Sequence, residues 1–167
     1  MTKRLARLVF PLLCVLLLAP WPIAYAYDTV SAAEPPVQIT AAEAAPSIAV
    51  FGKAIGSVSP GDLFYIDASD SPADIEVNLY LTNASELVHN YRYMVLKVGV
   101  YVQSGGNGWE KANLPDTYLT MRNGGVGFRL QGYARYRVSL DGGSFYCLGT
   151  NKNDGDISPR FYLDVSQ

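Results

Sequence analysis

The sequence predicts an all-β domain: an antiparallel β-sandwich, Ig-like or similar, of about eight to nine strands behind an N-terminal signal peptide. Three observations predict it. Apolar and polar residues alternate with a period of two from residue 47 onward. Clusters of Gly, Asn and Asp punctuate that alternation at short, regular spacing. The chain also opens on a cationic stretch and an apolar run that ends in small residues.

The opening stretch carries Lys3, Arg4 and Arg7 and no acid, and the apolar run covers residues 8–19. A membrane-spanning helix needs about 20 apolar residues. This run is shorter, holds Pro11, and is broken at its end by Pro20 and Pro22. Ala24-Tyr25-Ala26 then supplies the small-x-small pattern read by signal peptidase. Residues 1–26 are therefore expected to be a cleaved signal, and the chain would meet a membrane only through that segment if it stayed uncleaved. Cys14 follows Leu12-Leu13 instead of a small residue, which argues against a lipid-modified cysteine.

Residues 27–46 are rich in Ala, Pro and Glu and poor in apolar bulk, so they read as an extended tether, with an edge strand beginning at Val37 and Ile39 as the alternative. Residues 47–167 form the domain. After cleavage the chain has ten Lys and Arg against fifteen Asp and Glu, a net charge of −5. That balance argues against nucleic acid as a partner. Cys147 is then the one cysteine left, so packing rather than disulfides must hold the fold.

Within the domain, Ile75, Val77, Leu79 and Leu81 alternate with Glu76, Asn78, Tyr80 and Thr82, a strand with one dry face. Met94, Leu96, Val98, Val100 and Val102 form a longer run that suits a central strand. Further strands are expected around Phe64, Leu119, Phe128, Tyr136, Phe145 and Leu163, and residues 86–90 suit one helical turn. Ser59-Pro60-Gly61-Asp62 reads as a turn launching a strand. Asn123-Gly124-Gly125 and Asp141-Gly142-Gly143 read as tight hairpin turns, and residues 153–156 as a longer loop.

Catalytic signatures are absent from the sequence. His89 is the one histidine, no Gly-x-Ser-x-Gly elbow occurs, and no Cys-x-x-Cys or His-x-x-x-His pair offers zinc ligands. The chain is accordingly read as non-enzymatic, with no catalytic residue assigned and no cofactor. Cys147, in an apolar strand with no nearby cation, reads as a buried thiol.

Two clusters stand out by charge. Asp67, Asp70 and Asp74 lie in an acidic stretch without Lys or Arg and are the candidate ligands for calcium, although the EF-hand spacing is missing. Arg122, Arg129, Arg135 and Arg137 lie in residues 117–140, which contain no acid. With Tyr133 they are the candidate ligand-binding residues, expected to share one exposed sheet face. The partners expected are a second copy of the chain, through the acidic and basic segments, or an acidic extracellular polymer. The resulting expectation is a secreted or cell-surface structural or adhesive module, with a carbohydrate- or polyanion-binding domain as the alternative.

Overall fold

In the computed structural model, which describes residues 37–43, 55–148 and 158–167, the alternating runs become two antiparallel sheets. Among these residues the strands are β1 (Gln38–Ala41), β2 (Ile55–Val58), β3 (Gly61–Ala68), β4 (Ile75–Leu81), β5 (Tyr91–Ser104), β6 (Gly108–Lys111), β7 (Thr117–Thr120), β8 (Gly125–Leu130), β9 (Ala134–Cys147) and β10 (Phe161–Ser166). One helix, α1 (Ala84–Asn90), precedes β5 and buries Leu87. The signal segment 1–26, much of the tether 27–46 and the loop 153–156 lie outside the described residues.

The larger sheet is built on β5 and β9, each 14 residues long, which pair along most of their length. Both are flanked by interrupted strands. β3 pairs with the first half of β9 and β2 with its second half, both antiparallel. They follow the same edge, and the break between them holds Ser59 and Pro60. Proline has no N–H to give to a ladder, so it suits such a break. In the same way β6 and β7 share one edge of β5, with Leu114 and Pro115 between them. β1 pairs with β3 and completes a sheet of seven strands. The smaller sheet has the order β10-β4-β8.

Three turn expectations are corrected by this topology. The Ser59-Pro60 segment interrupts one long edge and does not reverse the chain. Asp141-Gly142-Gly143 lies inside β9: Lys97 pairs with Gly142 and Val98 with Leu140, so Asp141 is the extra residue of a bulge. Gly142 has φ +123, a conformation that L side chains rarely adopt. Asn123-Gly124-Gly125 does turn the chain, but it connects β7 of one sheet to β8 of the other.

The inward residues of both sheets belong to one hydrophobic cluster. Phe64, Ile66, Leu96, Val138, Leu140 and Phe145 come from the seven-stranded sheet, and Ile75, Val77, Leu79, Phe128 and Leu163 from the smaller one. The arrangement is sandwich-like. Burying a single Leu or Phe fully is worth about 1.5–3 kcal/mol, so this shared interior is the main support of the fold.

Candidate functional site

The polar side chains of the seven-stranded sheet gather on its outer face because strand registers align them in rows. Thr40, Tyr65, Arg137, Tyr101 and Lys111 are successive partners across β1, β3, β9, β5 and β6. Aromatic and cationic residues thus alternate across the sheet. The Arg137 guanidinium carbon lies 4.6 Å from the Tyr101 ring centroid and 5.3 Å from that of Trp109. Trp109 in turn sits 6.0 Å from Tyr65, with the ring planes 47° apart. A planar cation held by two aromatic rings gains cation–π attraction from both.

Carboxylates close the network. Asp62 accepts hydrogen bonds from the Tyr65 hydroxyl and the Ser139 hydroxyl, each at 2.8 Å. Arg137 Nη1 reaches the same carboxylate at 3.5 Å. Its Nε lies 3.5 Å from Asp62 Oδ1, within ion-pair range. The angle does not complete a hydrogen bond, so Nε is the buried side-chain nitrogen left without one among the described residues. Asp141, raised by the bulge, lies across Gly99, where a Cβ would collide with its carboxylate. There it accepts the Tyr101 hydroxyl at 2.7 Å and faces Lys111 at 3.4 Å. Asp116 is shared by Lys97 at 3.0 Å and Lys111 at 3.2 Å.

These contacts shift proton affinities. The hydrogen bond to Asp62, then burial, holds the Tyr65 hydroxyl above the ordinary tyrosine pKa of 10.0. Asp141 and burial do the same for Tyr101. The Ser69 hydroxyl bond, with further help from Arg135 against the opposing effect of burial, keeps Asp67 below the ordinary carboxylate value of 3.8. Asp116 is lowered chiefly by its bond from Lys97.

The arginines predicted from sequence do not share this one face. Arg135 and Arg137 lie on it, Arg129 is on β8 in the other sheet, and Arg122 is exposed in the β7–β8 turn. Tyr133 is on the β8–β9 turn, 72% exposed with φ 57°, and off any strand. Nor are the acidic and basic segments separate patches. Arg135 pairs with Asp67 at 2.8 Å, Arg137 with Asp62, and Arg129 with Asp74 at 3.2 Å.

Of the candidate calcium ligands, Asp67 and Asp74 therefore each face an arginine, while Asp70 stays exposed in the β3–β4 turn. Among the described residues no group of three or more His, Cys, Asp or Glu is placed to hold a metal ion. His89 is exposed on α1. Cys147, expected to be buried, is half-buried and packs against the core.

Sequence reading missed Tyr65, Tyr101 and Trp109. The alternation around Tyr101 was a usable signal, since it faces away from Val98, Val100 and Val102. No local pattern announced that Trp109 would reach Tyr65 from three strands away.

The same face has an apolar end. Ile55, Tyr146 and Tyr93 are successive partners across β2, β9 and β5. Ile55 is 62% and Tyr93 40% exposed, and the two tyrosine rings stack at 6.2 Å. Tyr118, on β7, is also exposed. The sequence matches no protein-family model, and no curated protein is significantly similar to it.

Proposed function

We propose that this chain is an exported, non-enzymatic structural or adhesive module of the cell envelope or extracellular matrix. It works by contact, through the outer face of the seven-stranded sheet. The observation that carries this reading is the Ile55–Tyr146–Tyr93 row. Ile55 and Tyr93, both exposed, flank the half-buried Tyr146 in register over three strands and form an apolar strip with it, and such strips mark contact surfaces. The neighbouring charges are tied to one another, so the face is stiff and already electrostatically balanced. The export-type opening of the sequence supports placement outside the cell, and no helix among the described residues is long and apolar enough to cross a membrane.

Co-sedimentation tests the reading. Purified mature domain, mixed with insoluble envelope and matrix material from the source cells, should pellet with it. An Ile55→Ser/Tyr93→Ser variant with an unchanged circular dichroism spectrum should stay in the supernatant. Wild-type protein that remains soluble beside that material overturns the proposal.

The alternative, an Arg/Tyr face for carbohydrate or polyanion, draws support from the stacking of Arg137 between Tyr101 and Trp109. A polyanion would have to displace carboxylates from Arg129, Arg135 and Arg137. At the level of fold, an Ig-like sandwich is supported by one detail. The Tyr136 hydroxyl donates to the Gln131 carbonyl at 2.8 Å where the chain crosses from β8 to β9, as in a tyrosine corner.

A further inference from the structure

We propose that the outer face of the three-stranded sheet binds a neutral saccharide chain. Tyr80 and Tyr162 stack on its sugar rings, and Asn78 and Asp164 bond its hydroxyls. This surface lies on the other sheet from the proposed contact row and stands apart from it.

Register builds the surface. Tyr162 of β10 pairs with Tyr80 of β4, which pairs with Gly125 of β8. The next outward row is Asp164, Asn78 and Gly127. The inward neighbours Leu79, Leu81, Phe161, Leu163 and Val165 are buried, so these rows point away from the core. β8 therefore offers bare backbone where β4 needs room. A Cβ on Gly125 would come within 2.9 Å of the Tyr80 ring, and one on Gly127 within 2.9 Å of Asn78 Oδ1. The Tyr80 ring thus leans over the glycine strand and remains 41% exposed. The Tyr162 ring lies 6.0 Å from it with planes 30° apart. The exposed Tyr80 ring, with the half-buried Tyr162 ring beside it, makes an aromatic platform.

The polar groups beside the platform differ in kind from those of the other sheet. There, Asp62, Asp67, Asp116 and Asp141 are all engaged by cations or hydroxyls. Here, the Asn78 amide and the Asp164 carboxylate have no hydrogen-bond or ion-pair partner among the described residues. Their donor and acceptor capacity is turned outward two residues along the strands from the rings, a spacing of about 7 Å. Aromatic faces beside an amide and a carboxylate suit a ligand with C–H faces and rim hydroxyls. Charge decides which saccharide fits. Asp164 and Glu76 leave the face negative, because Arg129 is held by Asp74. Sulfated and uronic polymers are repelled, and neutral ones are not.

Affinity electrophoresis of the mature domain, in gels containing soluble β-glucan, galactan, mannan or dextran, tests this. Heparin and polygalacturonate serve as charged controls. At least one neutral polymer should retard the wild-type protein. Tyr80→Ala and Tyr162→Ala should each weaken retardation by about tenfold, and Asn78→Ala by a smaller factor. Asn78 is a surface residue, so that variant keeps the test open if a tyrosine variant misfolds. Ile55→Ser, on the other sheet, should bind as wild type, which separates this proposal from the contact-row reading. Once residues 1–26 are removed, Trp109 is the one tryptophan, and it lies on the seven-stranded sheet. Its fluorescence should stay constant while tyrosine absorbance changes with added polymer. The proposal is overturned if no neutral polymer retards the wild type, or if charged polymers alone do so. It is also overturned if the folded Tyr80→Ala/Tyr162→Ala variant and Asn78→Ala bind like wild type.

Discussion

Asp67 shows how a single side chain is committed by its neighbours. Ser69 donates to it from both backbone and hydroxyl, and Arg135 lies opposite it across the β3–β9 ladder. Both side chains of that ion pair are more than a third exposed, so solvent screens it, and it contributes about 0.2–1 kcal/mol. The folded carboxyl holds its proton less tightly than the unfolded one. Its stabilisation is therefore complete above the ordinary value of 3.8 and drains away as pH falls through the lowered folded value. Asp67→Asn should lower the melting temperature near neutral pH and come close to wild type in strong acid, once pH has fallen through the lowered folded value. A deficit of equal size at both pH values would show that the charge is not what matters. The tyrosines carry the opposite sign. Tyr65 and Tyr101 are raised above 10.0, so the stability they contribute is present below that value and lost as pH climbs through their folded values. Asp141→Asn should bring the Tyr101 phenolate absorbance to lower pH.

At the scale of elements, legibility depended on whether a pattern was local. The alternation in β4 and β5 named their inward residues, because side chains on a strand must face opposite sides in turn. Alternation gives a face but not a sheet, which is why Arg129 was grouped with Arg135 and Arg137 although β8 belongs to the smaller sheet. The Asp141-Gly142-Gly143 segment has the composition of a hairpin turn and of a bulge alike. Only the partner strands, interrupted opposite it at Ser59 and Pro60, decide for the bulge. That bulge carries Asp141 over Gly99 to the Tyr101 hydroxyl, so it builds the candidate site from a backbone irregularity. Gly142→Ala should strain the positive φ and cost about 1–3 kcal/mol, read as a shift in the denaturation midpoint. It should also shift the Tyr101 phenolate absorbance, because the bulge and the hydrogen bond move together. A stable variant with an unmoved tyrosine titration would mean that the bulge does not position Asp141.

For the whole molecule, the decisive property is that both sheets bury their inner residues in one cluster. Neither inner face is dry without the other, so the sheets should unfold together rather than in sequence. Leu79 and Phe145 sample the two sides, and both are fully buried. Leu79→Ala leaves a cavity in the smaller sheet and should cost about 2–5 kcal/mol, and Phe145→Ala in the larger sheet about 3–5 kcal/mol. Each should displace one cooperative transition seen identically by far-ultraviolet circular dichroism and by Trp109 fluorescence, although Trp109 reports only on the seven-stranded sheet. Reductant should leave that transition in place, because packing of the shared interior holds the sheets together, and Cys147→Ser should cost no more than about 1–2 kcal/mol. Two separated transitions in the Leu79→Ala variant, with fluorescence lagging behind circular dichroism, would show that the sheets are independent units. A large loss of stability on reduction would show that a covalent link between copies supports the fold.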